Sequence, residues 1–197
     1  MGESGAMRVF AALALPVSVS SAIAAAFSRA RSLAPRVKWV ASEGMHLTLH
    51  FFGEIPDAEV EGFAPVFADP GLRRPPIRAR LGRAGFFPPS GMPRVMWVGI
   101  QEGTEDMRAF WARFTERLEP LRGPGGPLRS WEPDRRGFSP HITVARPGAA
   151  PLDPRWASEA GVPAQEFSIT ECVLFQSLLG SGGARYLPLR KMLFDGV

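Results

Sequence analysis

The 197-residue chain has a single cysteine, Cys172, so it can form no intramolecular disulfide and no thiolate metal cluster, a usage that fits a reducing cytosol. Cys172 lies in the apolar run Cys172-Val173-Leu174-Phe175, where a free thiol is expected to pack as a small hydrophobe. Lysine is nearly missing as well. Of 23 basic residues only Lys38 and Lys191 are lysine, and with 19 acidic residues the net charge is +4. Such an arginine excess suits a polyanionic partner through the bidentate guanidinium fork, and a general preference for Arg over Lys would also produce it. No stretch reaches the roughly 18 uninterrupted apolar residues that a membrane span needs. The most apolar segment, Phe10 to Phe27, is broken by Pro16 and by serines and is preceded by one basic residue, Arg8, which argues against a secretory leader. A soluble cytoplasmic monomer without membrane association is expected, with residues 1–6 a flexible lead-in, Met7 the functional start and 7–197 one two-lobed domain.

Several chemistries lack their motifs. No Gly-Lys-Ser/Thr phosphate loop, no serine between glycines at a strand-to-helix turn and no dinucleotide glycine fingerprint occurs. ATP use is therefore unsupported.

Histidine is scarce too, with three in the chain, yet two of them occupy one frame: His46-Leu47-Thr48-Leu49 and His141-Ile142-Thr143-Val144. Five threonines in the chain put Thr two places after a given His by chance only about 2.5% of the time, so the duplication carries information. Apolar residues alternate with His and Thr, as in a strand with one wet face, so imidazole and hydroxyl share a face while the aliphatics enter the core. Extended along the first run, the alternation groups Leu47, Leu49 and Phe51 against His46, Thr48, His50 and Phe52.

The remaining pattern predicts strands at Arg8–Leu15, Val37–Val40, His46–Phe52 (closed by Gly53), Ile77–Gly85, Val95–Gln101, Ser139–Arg146, Phe167–Leu178 and Tyr186–Phe194. It predicts helices at Val17–Leu33, Pro56–Phe67, Thr104–Leu121 and Pro154–Glu159. The Gly-, Pro- and Arg-rich segment Arg122–Gly137 reads as the mobile loop, and Gly180–Gly183 as a hairpin turn. The strands at Ile77–Gly85 and Val95–Gln101 are grouped with the first histidine strand. The fold class is α+β, a two-lobed pseudo-symmetric domain in which antiparallel sheets line a central cleft with helices outside. Pseudo-symmetry would bring the His-Thr pairs, 95 residues apart in sequence, face to face.

Two imidazoles facing one substrate can serve as general base and general acid, because an unperturbed pKa near 6.5 leaves both protonation states accessible at neutral pH. Phosphodiester transfer needs that pair, with donors to hold the phosphoryl oxygens; Thr48, Thr143 and Arg146 suit that task. His50 lacks a Thr partner and reads as structural. Zinc held by three histidines is the rival chemistry, but His46 and His50 would lie about 13 Å apart along one strand at roughly 3.3 Å per residue.

These residues resemble the two-histidine phosphoesterase superfamily, most closely its bacterial RNA 2',3'-cyclic phosphodiesterases, also called 2'-5' RNA ligases. The likeness rests on Arg8-Val-Phe-Ala-Ala-Leu, Lys38-Trp-Val, His46-Leu-Thr-Leu-His-Phe-Phe-Gly-Glu, Arg94-Val-Met-Trp-Val-Gly, Phe138-Ser-Pro-His-Ile-Thr-Val-Ala-Arg146, Leu174-Phe-Gln-Ser177 and Tyr186. The resemblance implies that His46 protonates the leaving 3' oxygen, that His141 activates water, and that Thr48, Thr143 and Arg146 hold the phosphate. The expected substrate is RNA ending in a 2',3'-cyclic phosphate, opened to a 2'-phosphate without metal or other cofactor. Run backwards with a 5'-hydroxyl, the same geometry would join RNA 2'-5' without ATP. His50 departs from the family's common pattern. Phe10, Phe52 and Phe87 are candidate stacking faces for a base. Alternatives are an enzyme for small cyclic nucleotides or ADP-ribose cyclic phosphate, and a non-catalytic module that binds RNA ends.

Overall fold

The computed structural model describes residues 5–129, 131–132, 137–180 and 183–195. Among the described residues the strands are β1 (Ala6–Ala14), β2 (Lys38–Trp39), β3 (His46–Pro56), β4 (Ile77–Phe87), β5 (Val95–Glu102), β6 (His141–Arg146), β7 (Glu166–Ile169), β8 (Glu171–Gly180) and β9 (Gly183–Leu193). Its α-helices are α1 (Val17–Ala26), α2 (Ser28–Leu33), α3 (Ala64–Phe67), α4 (Thr104–Leu118) and α5 (Arg155–Glu159). The strands follow the order β7-β4-β5-β6-β3-β1-β8-β9, every pairing antiparallel, with β2 added to β6.

The order is symmetric about its middle. The histidine strands β3 and β6 meet at Leu47↔Ile142, and outside them β1 flanks β3 as β5 flanks β6. The α+β, two-lobed, antiparallel architecture is as expected, with its two half-sheets joined at that pair. The grouping of strands differs from expectation. β4 and β5 belong to the half of the second histidine, whereas β8 and β9 complete the half of the first. The expected single strand Phe167–Leu178 is consequently two. The chain leaves β7, on the edge of one half, at Thr170 and enters β8, beside β1 in the other half.

Proline and aromatic packing shorten the expected helices. Val17–Leu33 breaks at Phe27, which is buried and packs on Trp39 at 6.3 Å. After Pro56 the chain runs as a 3₁₀ turn over Asp57–Phe63 before α3, and α4 gives way to a 3₁₀ turn over Glu119–Arg122 around Pro120. α4 is the best-formed helix. Met107, Phe110, Phe114 and Leu118 make its buried stripe, and Glu105 and Asp106 in the first turn with Arg117 in the last suit the helix dipole. Phe110 packs on Phe194 and Phe114 on Phe67, so α4 covers the half built around β3. Apolar residues from both halves, Leu47, Ile142, Val98 and Leu174 among them, join one core with Ile23 and Phe114. Each fully buried Phe or Leu contributes about 1.5–3 kcal/mol, so this shared core ties the halves together.

Gly53 does not close β3. It takes φ 79° opposite Val9 in a bulge, and the strand continues to Pro56. β1 likewise starts at Ala6, with Asp57 N donating to the Gly5 carbonyl, so the expected lead-in does not include residues 5 and 6; residues 1–4 lie outside the described residues. The described part of Arg122–Gly137 is anchored rather than mobile: Leu128 and Trp131 are buried, and Trp131 Nε1 donates to the Phe51 carbonyl at 3.1 Å. The expected hairpin turn falls on residues 181–182, outside the described residues, while Gly180 and Gly183 pair at its base. Among the described residues no helix is long and apolar enough to cross a membrane.

Candidate active site

The Leu47↔Ile142 pair sends both aliphatics into the core and leaves His46, Thr48, His141 and Thr143 on the opposite, cleft-lining face, all half-buried. Neighbouring strands reinforce this. Ala14 lies opposite His46 and Ala12 opposite Thr48, while Gly99 lies opposite His141 and Trp97 opposite Thr143. Small residues beside each imidazole keep the cleft open.

Both rings are held in the same way. His46 Nδ1 lies 2.8 Å from the Gly44 carbonyl, and His141 Nδ1 lies 2.8 Å from the Ser139 carbonyl. A carbonyl can only accept, so each Nδ1 carries a proton and donates it, and in the neutral ring Nε2 keeps its lone pair. Each strand thus orients its own imidazole through the carbonyl two residues earlier, without a carboxylate.

A bulge follows each threonine. In β3, Ala12 faces Thr48 and Ala11 faces His50, leaving Leu49 extra; in β6, Trp97 faces Thr143 and Met96 faces Ala145, leaving Val144 extra. One inserted residue inverts all later alternation. His50 and Ala145 therefore turn toward the core, and Phe51 and Arg146 toward the cleft. The expected row of His46, Thr48, His50 and Phe52 on one face is corrected accordingly. His50 is buried, its Nε2 donating at 2.8 Å to Thr115 Oγ1, whose own proton goes to the Trp111 carbonyl, and its ring is stacked on Trp111 at 5.5 Å and edge-on to Trp131 at 5.1 Å. Phe52 packs in the core on Phe63, and Phe51 is exposed beneath the Arg8 guanidinium at 4.8 Å.

Aromatic rings surround each imidazole. Phe10 lies 4.8 Å from His46, and Tyr186 stands edge-on to it at 5.2 Å; Phe87 stands edge-on to His141 at 5.1 Å. Of the three candidate stacking faces, Phe10 and Phe87 thus lie at the site and Phe52 does not. Burial pushes the His46 pKa down to about 4, with the positive potential of His141 and Arg146 adding to it and the Gly44 carbonyl opposing. His141 is lowered by burial and by Arg146, against the Ser139 carbonyl. Burial raises the Tyr186 hydroxyl, with Arg146 and Arg8 opposing. Arg146 thus acts on both imidazoles and on Tyr186. Burial and positive charge thus bias both imidazoles toward neutrality, and an anion placed among them would draw protons back.

Tyr186, the two carbonyls and Trp97 could not be assigned to the site from spacing, since nothing in a strand pattern says which strands become neighbours. Among the described residues no group of three or more His, Cys, Asp or Glu is placed to hold a metal ion.

A family model described as the 2'-5' RNA ligase superfamily matches residues 19–180. An RNA 2',3'-cyclic phosphodiesterase of Thermus thermophilus is 33% identical, covering 96% of this chain and 91% of its own length. One from Escherichia coli is 30% identical, covering 93% of this chain and 94% of its own length. Against one from Geobacillus stearothermophilus, 29% identical over 85% of this chain, the match spans only 51% of the relative's length. The crystal structure of TT0787 of Thermus thermophilus superposes with TM-score 0.75 at 30% identity, covering 96% of this chain and 99% of that one. Escherichia coli LigT in apo form shares the fold at TM-score 0.64 and 24% identity, covering 96% and 98%.

Proposed function

The chain belongs to the 2'-5' RNA ligase superfamily, and from that membership we propose that it is an RNA 2',3'-cyclic 3'-phosphodiesterase with His46 and His141 as its catalytic pair. The observation that carries this reading is the matched pair of imidazoles, each donating Nδ1–H to a backbone carbonyl so that Nε2 is its working atom. His141 takes a proton from water as the water oxygen attacks phosphorus. His46 gives a proton to the ribose 3' oxygen as that bond breaks, and the phosphate remains on the 2' oxygen. Thr48 and Thr143 hydroxyls and the Arg146 guanidinium hold the non-bridging oxygens where charge builds up.

An acid must be protonated before it can donate. With burial holding its pKa near 4, His46 is neutral at pH 7, and the substrate's own negative charge supplies the needed shift. An anion between Arg146 and the two rings stabilises an imidazolium, so binding and proton uptake occur together. No metal, nucleotide or covalent intermediate enters these steps. RNA is the proposed partner and the cytoplasm the proposed setting.

The test is to incubate metal-free protein with an oligoribonucleotide ending in a 2',3'-cyclic phosphate and to locate the product phosphate. A 2'-phosphate is expected. A 3'-phosphate would reverse the roles of the two histidines, and no turnover would leave an RNA-end-binding module.

A further inference from the structure

We propose that Lys38, standing opposite Arg146, holds the phosphate on the 5' side of the terminal nucleotide, so that a cyclic phosphate belonging to a chain is preferred to the same group on a bare nucleoside. The proposal rests on the phosphodiesterase reading, which puts the ribose of the cyclic phosphate on the His46 side of the cleft.

The chain has only two lysines, and Lys38 sits where a cation is unfavourable. In the β2–β6 ladder Lys38 lies directly opposite Arg146, as Trp39 lies opposite Ala145. Residues directly opposite in an antiparallel pair point to the same face with Cα atoms about 4.5–5.5 Å apart, and like charges placed so repel. Both side chains are exposed, and among the described residues no carboxylate pairs with either. A phosphate that meets both cations turns their repulsion into attraction.

The neighbours of Lys38 fix the face it takes. Trp39 packs on Phe27 and Trp156 and lies opposite the buried Ala145, so the residues on either side of it, Lys38 and Val40, turn away from the core. Val40 N continues the ladder by donating to the Val144 carbonyl at 2.8 Å. A Cβ on Gly44 would stand 3.5 Å from Val40 Cγ1 and 3.3 Å from Tyr186 Cε2, so Val40 lies beside the ring that stands edge-on to His46. Lys38, Val40, Arg146 and Tyr186 therefore share the His46 end of the cleft.

Lys38 stands one step further from the reacting phosphorus than Arg146 does. Its stem leans toward Gly148, where a Cβ would stand 3.2 Å from Lys38 Cγ, and Gly148 follows Arg146 on the side away from Thr143. The charge of Arg146 reaches His46, His141 and Tyr186, whereas that of Lys38 acts on none of the three. A second anion is thus a better partner for Lys38 than the cyclic phosphate itself. The nearest second anion on an RNA end is the phosphodiester on the 5' oxygen of the same ribose, and with that ribose beside Phe10 and Tyr186 it leads out past Arg146 to Lys38. A compact ammonium on a flexible stem suits a phosphate whose position varies with the base. Arg8, whose charge also reaches Tyr186, is left for the phosphate after that one.

The experiment measures kcat/KM for a nucleoside 2',3'-cyclic phosphate carrying either a 5'-hydroxyl or a 5'-methylphosphate, which has the charge of a chain phosphate without a second base. The wild-type protein should favour the 5'-methylphosphate about tenfold or more, mainly through KM, the scale of one hydrogen bond between charged groups. Lys38→Gln should bring that ratio close to one, and Lys38→Arg should keep most of it. Because Lys38→Gln removes one of two opposed like charges, its urea midpoint should equal or exceed that of the wild type. A wild-type ratio near one would overturn the subsite, as would a Lys38→Gln variant that keeps the wild-type ratio, which places the lysine at the reacting phosphate or away from the substrate. Loss of the ratio in both variants together with a lowered urea midpoint would make Lys38 structural and overturn it as well. No turnover of either substrate by the wild type would overturn the phosphodiesterase reading instead.

Discussion

Leu47 lies directly opposite Ile142 at the centre of the sheet, and through this pair the two histidine strands are joined. Both side chains are fully buried, so truncating either leaves a cavity at the seam between the halves. Leu47→Ala and Ile142→Ala should each cost about 2–5 kcal/mol, read from urea unfolding. A loss under about 1 kcal/mol would show that the seam is not where the halves are held.

The two imidazoles should be the most costly to remove. His46→Ala and His141→Ala are each expected to lower turnover of cyclic-phosphate RNA by about 10²–10⁴-fold, the usual worth of a general acid or base. His50→Ala should change turnover far less while lowering stability, because its ring fills a slot among Trp111, Phe114 and Trp131. Were His50→Ala the most damaging of the three to turnover, the assignment of roles would fail.

Burial holds both His46 and His50 near pKa 4 in the folded chain, below the unfolded value near 6.5. The folded state therefore binds fewer protons than the unfolded state between those values. The stability is full above pH 6.5 and is lost as pH falls toward 4, with a slope approaching about 1.4 kcal/mol per pH unit for each ring. Urea midpoints from pH 7 to 4.5 should fall accordingly. His50→Gln should remove its share of that slope, and an unchanged profile in this variant would mean that His50 titrates normally.

The duplicated frame placed His46, Thr48, His141 and Thr143 on one face because alternation holds within each four-residue unit. It fails one residue later, since a bulge leaves no mark in a run such as Leu49-His50-Phe51-Phe52, where every residue tolerates a strand. Arg146 shows the consequence most clearly: strict alternation from Thr143 would send it to the core face, and the extra Val144 returns it to the cleft. The crossing of the chain at Thr170 was hidden for a related reason. Phe167–Leu178 is continuously strand-like, and which half each end joins is decided by long-range pairing with β4 and β1. The aromatic surround of His46 comes from β1 and β9, which only that topology brings together.

Metal removal separates imidazole acid-base chemistry from zinc chemistry. His50 is turned away from the cleft face that carries His46, so the three histidines cannot converge on one ion. EDTA treatment and dialysis should leave turnover unchanged. Restoration of a lost activity by added Zn²⁺ would revive the metal reading.

The last prediction concerns how RNA beyond the terminal nucleotide is held. Arginines are dense in the runs Arg73–Arg83 and Arg122–Arg136, but Arg74 pairs with Asp106, Arg80 with Glu102, Arg122 with Glu119 and Arg129 with Glu59, while Arg135 and Arg136 lie outside the described residues. Arg8 is better placed. It precedes Phe10 by two on β1, so it shares the cleft face, and its guanidinium lies over the exposed Phe51 ring. A phosphate leaving the His46 side would meet Arg8 next. Each phosphate contacted on single-stranded RNA adds about 0.7 to the slope of log affinity against log salt. Arg8→Gln should therefore lower that slope by about 0.7 for a cyclic-phosphate trinucleotide and leave it unchanged for a cyclic mononucleotide, whereas Arg80→Gln should alter neither. An equal change for both substrates would place Arg8 at the reacting phosphate itself rather than along the RNA backbone.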